Sequence, residues 1–97
     1  MIRHVVLWEL HEPLDAPRFA QRLRGCAGIV PGMLGFEVAV RDAALRGASA
    51  DVCLIATFAD ASALHAYEGH ALHREVSAAL APLRRSRHVA DFVVEEP

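Results

Sequence analysis

Two segments of this chain, Ile2 to His11 and Asp51 to Ala59, alternate with the period of an extended strand yet carry apolar side chains on both sets of positions. In the first, Ile2, His4, Val6, Trp8 and Leu10 face one way and Arg3, Val5, Leu7, Glu9 and His11 the other. In the second, Val52, Leu54, Ala56 and Phe58 oppose Cys53, Ile55 and Thr57. A strand with one wet face shows it by polar alternation, so these two need cover on both sides. With 97 residues the chain has space for a single domain, spanning 1–97, and only a few helices to provide that cover.

The remaining segments supply those helices and two more strands. Glu12-Pro13 ends the first strand, Asp15 is placed to cap a helix with Pro17 in its first turn, and Phe19, Leu23, Cys26, Ala27 and Val30 recur at spacings of three and four. The turn Ile29-Val30-Pro31-Gly32 releases a second alternating run, Leu34, Phe36, Val38 and Val40 against Gly35, Glu37, Ala39 and Arg41. Small residues from Asp42 to Ala50 read as a loop. After the third strand, Asp60 is placed to cap a second helical region. Leu64 and Tyr67 form one stripe there, and Leu72, Val76, Ala79, Leu80 and Leu83 form another. The two stripes lie too far apart around the axis for one straight helix to bury both, which predicts a break near Gly69-His70. Arg84, Arg85 and Arg87 read as a solvated helix end, and Val89 to Glu95 as a fourth strand.

The order βαββαβ predicts an α+β, ferredoxin-like fold: a four-stranded, mostly antiparallel sheet with its helices on one face. The other face would then expose Val5, Leu7, Cys53 and Ile55 as a patch that lone soluble chains rarely show. A second copy packed sheet to sheet across a two-fold axis would cover it, so a homodimer is expected. Association would also add burial that a chain of this size lacks: it hides about 60–70% of its unfolded surface, and alanine supplies about a third of its hydrophobic residues.

Charge narrows the partners. Ten basic residues, all arginine, stand against 12 acidic ones, and the one short arginine run is too small a cluster to follow a phosphate backbone, so nucleic acid is not an expected partner. No apolar run reaches membrane-spanning length, and the alternating N-terminal segment is unlike a signal peptide. Cys26 and Cys53 are too few for a disulfide framework, which points to a reducing, cytoplasmic setting.

Several short motifs, in order along the chain, carry a family resemblance. Ile2-Arg3-His4-Val5-Val6-Leu7-Trp8, Ile29-Val30-Pro31-Gly32-Met33, Thr57-Phe58-Ala59-Asp60, Ala63-Leu64-His65-Ala66-Tyr67, His70-Ala71-Leu72-His73 and Asp91-Phe92 together resemble the stress-responsive dimeric α/β-barrel (Dabb) proteins. The resemblance implies a homodimer in which two sheets form a barrel and each subunit holds a pocket between its sheet and helices. It is similar, more distantly, to a plant polyketide cyclase of that family, which closes a ring by intramolecular aldol condensation. The resemblance implies that His73 and Tyr67 match its catalytic histidine and tyrosine, and that His4 matches a further pocket histidine. Ala71 and Val52 depart from the pattern, standing where proline and another histidine would be.

The residues themselves allow that chemistry. A histidine of near-neutral pKa can take a proton α to a carbonyl, and a tyrosine hydroxyl can polarise the carbonyl that becomes the enolate. His73 and Tyr67 are therefore the candidate catalytic pair, with His4, Trp8 and Leu54 as candidate ligand-binding residues of a mostly apolar pocket for a small molecule. No flavin, nicotinamide or haem motif is present, so no cofactor is expected. His65, His70 and His73 have part of a metal-ligand spacing, but no aspartate or cysteine converges on them, so no metal is expected either. A non-catalytic binding module of the same fold is the alternative. A haem- or quinol-directed monooxygenase is disfavoured by the absence of asparagine from the chain.

Overall fold

A computed structural model of the chain describes residues 1–95. β1 (Ile2–Leu10) and β3 (Val52–Phe58) lie at the centre of one four-stranded sheet of order β2-β3-β1-β4, with β2 (Met33–Val40) and β4 (Arg84–Val93) at the edges. Every pairing is antiparallel, and Val6 stands opposite Leu54 in the central register. α1 (Ala16–Arg24), α2 (Ala61–Gly69) and α3 (Ala71–Leu80) all pack on one side, giving the expected ferredoxin-like arrangement. The helices lie mainly over β1, β2 and β3, and β4 projects to one side of them. Among the described residues no helix is long and apolar enough to cross a membrane.

The core follows from the two central strands. Val6, Trp8 and Leu10 of β1 and Val52, Leu54, Ala56 and Phe58 of β3 meet Phe19, Ala20 and Leu23 of α1, Leu64 and Tyr67 of α2, and Val76 and Leu80 of α3. On the helix-free face, Val5, Cys53 and Ile55 are half-buried, and Leu7 and Phe92 are 41% and 58% exposed. This is the apolar patch expected from the alternation.

The helix break falls where the two stripes required it. His70 takes an extended conformation (φ −65°, ψ 138°) between α2 and α3, and its Nδ1 accepts the Leu72 N–H at 3.0 Å, capping α3. Asp60 caps α2 through the Ala63 N–H at 2.9 Å. Gly32 has φ +86°, and a Cβ there would sit 2.9 Å from the Ala63 Cβ, so the turn into β2 needs glycine on two counts.

Four local expectations are corrected. Asp15 does not cap α1: a short 3-10 turn, Pro13–Asp15, precedes it, and the Asp15 carboxylate instead takes Arg18 Nε at 3.0 Å. α1 ends at Arg24, so Ala27 falls beyond it and is exposed, as is Ala79 on α3. Leu34, expected on the covered face, is 59% exposed, because the register shifts between Met33 and Gly35 and makes it the extra residue of a bulge. Met33 takes the inward place and packs on the core. Finally, β4 starts at Arg84 rather than Val89, so the arginines lie on a strand and not on a helix end. β1 is long enough to pair with them through Leu10, and an edge strand carries charge readily.

Candidate active site

The register and the helix break bring three of the five candidate residues together. His4 points from the middle of β1 to the helix side, where its ring stands 6.2 Å from that of Tyr67 on α2. The Tyr67 ring is 4.5 Å from that of His73 on α3, and Phe58 and Phe36 pack against Tyr67 at 5.3 and 6.2 Å. Trp8 and Leu54 are placed elsewhere. Trp8 lies further along β1 with its ring 5.3 Å from Phe19, and Leu54 is sealed in the core between Val6 and Val38 in the strand register.

The interruption between α2 and α3 orients His73. In a continuous helix the Glu68 carbonyl would accept the Leu72 N–H. Here His70 takes that N–H, and the freed Glu68 oxygen accepts from His73 Nδ1 at 3.1 Å. A carbonyl can only accept, so Nδ1 carries the proton and Nε2 keeps its lone pair. Burial lowers the His73 pKa below the ordinary value, outweighing the Glu68 carbonyl, and leaves the ring neutral near pH 7. Burial also pushes the Tyr67 phenol well above its ordinary value, so it stays a neutral O–H donor.

A fourth polar member joins them, one that the alternation did not place at the site. Asp91, on edge strand β4 opposite His4, brings Oδ1 to 2.5 Å from His4 Nδ1. A carboxylate in that position accepts the Nδ1 proton and fixes the tautomer, leaving Nε2 of a fully buried ring toward the aromatic cluster. The signal for Asp91 lay in strand register, which alternation within one strand does not reveal.

The cluster is tightly packed: Tyr67 is 1% and His4 2% exposed. Its open flank is along β4, where Asp91 is exposed and Val89 is 42% exposed on the same face. The larger hollows lie elsewhere: one of about 310 Å³ on the helix-free face, lined by Arg3, Gly35, Glu37, Ile55 and Thr57, one of about 300 Å³ between α1 and the end of α3, lined by Arg18, Arg22, Ala79, Leu80 and Leu83, and one of about 230 Å³ at the 42–50 loop. Among the described residues no three His, Cys, Asp or Glu side chains gather as metal ligands. His65 is exposed, while His70 and His73 are engaged by Leu72 and Glu68.

Known proteins agree with this fold. The family model described as the stress responsive A/B barrel domain matches residues 2–94. A dimeric ferredoxin-like protein of unknown function from Thermobifida fusca superposes with a TM-score of 0.84 at 22% identity, over 96% of this chain and 90% of that one. A Dabb family protein from Mesorhizobium loti gives 0.77 at 23% identity, over 98% and 97%. SnoaB, a cofactor-independent oxygenase from Streptomyces nogalater, gives 0.77 at 16% identity, over 99% and 94%. At these identities the likeness is one of fold. No curated protein matches the chain.

Proposed function

Since this chain belongs to the stress responsive A/B barrel domain family, we propose that it is a homodimer that binds a small carbonyl compound beside Tyr67 and His73 and performs acid–base chemistry on it without a cofactor. The apolar strip of Val5, Leu7, Cys53, Ile55 and Phe92 on the helix-free face supports the dimer, as does the dimeric Thermobifida fusca protein of the same fold. Both cysteines are free, which suits a reducing cytoplasm.

One observation carries the chemistry: Tyr67 and His73 lie ring to ring at 4.5 Å, with His73 oriented by the Glu68 carbonyl and kept a neutral base by burial, and Tyr67 kept a neutral donor. In this reading the Tyr67 hydroxyl donates to the substrate carbonyl, and His73 Nε2 removes the adjacent C–H proton. The resulting enolate carbon attacks a second carbonyl of the same molecule, a C–C bond forms, and the new alkoxide takes the proton back from His73. That is an aldol closure on a polyketide-like compound. Stopping at the enolate and reprotonating gives an enolisation.

The test follows hydrogen–deuterium exchange α to the carbonyl of a panel of small ketones, oxo acids and polyketide-like dioxo compounds. His73→Ala and Tyr67→Phe should each slow exchange by roughly 10²–10⁴-fold with the dimer intact. Equal rates in wild type and both variants would overturn the assignment. The near-complete burial of His4 and Tyr67 favours a second reading, a module that binds without turnover. It predicts saturable shifts of the His73 ring resonances with no exchange.

A further inference from the structure

The arginine run lies on β4, the strand that also carries Asp91. Because β4 starts at Arg84, Arg87 stands opposite Trp8, on the same sheet face as Val89 and Asp91. That face is the helix side, and β4 is the strand the helices leave uncovered. Arg87, Val89 and Asp91 therefore form an exposed ledge on β4 on the face that carries the His4, Tyr67 and His73 cluster, with Asp91 in contact with His4. It runs for roughly 13 Å between its charged ends at about 3.3 Å per residue. The two ends differ in their engagements. Asp91 is taken by His4, whereas Arg87 is exposed and no carboxylate stands within salt-bridge distance of it among the described residues. Between them Val89 offers a half-open apolar surface.

We infer that Arg87 is the anion-binding group of this site, and that the carbonyl compound it takes is an oxo acid whose carboxylate is held by the guanidinium while its carbonyl lies against Tyr67 and His73. This rests on the acid–base reading above and adds the substrate class to it. The planar guanidinium can take both carboxylate oxygens at once, and an anion held there sets which carbon faces His73 Nε2. The positive charge of Arg87 reaches both reacting groups: it works with burial to lower His73, and it opposes burial at Tyr67. A bound carboxylate would cancel that influence. An arginine on an edge strand can also serve simply to keep other strands away, and the experiment must separate the two roles.

The probes are 4-oxopentanoate and its methyl ester, which share the ketone and differ in charge. Their binding is read from the His73 ring resonances of the full chain by NMR. Wild type should bind the acid at least about tenfold more tightly than the ester, the scale of one charge-assisted pair on a partly open surface. In R87Q the preference should vanish, with acid and ester binding alike. R87K should recover part of it, because charge returns without the two-pronged geometry. Added salt should weaken the acid and not the ester. Equal binding of acid and ester by wild type, or a preference that survives in R87Q, overturns the role of Arg87 while leaving the carbonyl site standing. If neither probe moves the His73 resonances, the Arg87 assignment and the carbonyl-binding site fall together.

Discussion

On β3, Val52, Leu54, Ala56 and Phe58 are no more than 2% exposed, whereas Cys53, Ile55 and Thr57, interleaved with them, stay half-buried. The sequence gives both sets apolar character, and the chain's own helices satisfy just one of them. The covered side reaches its final packing within one molecule; the other side has the composition of an interior and the exposure of a surface. Apolar content alone therefore does not tell which face the chain covers itself; topology decides where its own helices reach.

Substitutions on the two sides should fail differently. Phe58→Ala on the covered side should have the largest effect, lowering unfolding free energy by about 3–5 kcal/mol in denaturant titration whether or not the chain is associated. Leu7→Arg on the open side should leave a folded chain but weaken association by about a hundredfold or more, since a buried unpaired charge costs several kcal/mol. Sedimentation at micromolar concentration reads the shift, and an unchanged dimer would show that the interface lies elsewhere. Asp60→Ala removes the cap of α2 and should cost about 1 kcal/mol, while Asp15→Ala, which removes no cap bond, should cost less.

The smallest effect is one of pH. The His73 pKa is lower folded than unfolded, so the unfolded chain binds more protons between the two values. That contribution to stability is intact above about 6.5 and is lost as pH falls from there toward the folded value. Thermal melts of wild type and H73Q from pH 8 to 5 should diverge below that point, with the wild type falling more. Parallel curves would show that His73 is as solvated folded as unfolded.

Period-two alternation located all four strands, and the mismatch of two helical stripes located the break at His70. These signals were readable because each is local and repeats along several residues. Leu34 faces outward because β2 carries one extra residue at its start, which puts Met33 in its place while Phe36, Val38 and Val40 keep the expected face, and nothing in Met33-Leu34-Gly35 marks where the register adjusts. Asp91 and Arg87 were not read as neighbours of the site because their position depends on which strand β4 pairs with and how far β1 extends. Trp8 and Leu54 share the facing direction of His4, which the alternation does show, but distance along the strand puts Trp8 against Phe19. Facing is written in one strand. Proximity is written in the pairing of several.

Good helix formers in place of Gly69 and His70 would join α2 and α3 into one rod, which could bury only one of the two apolar stripes. The Glu68 oxygen would then be consumed by the backbone, and His73 would turn with the screw of the helix, away from the contact that fixes its proton. The gap therefore settles two matters at once, the burial of both stripes and the direction of the His73 ring. Raising helix propensity at this joint is therefore expected to lose both, whereas the same change on an exposed helix face away from it leaves both in place.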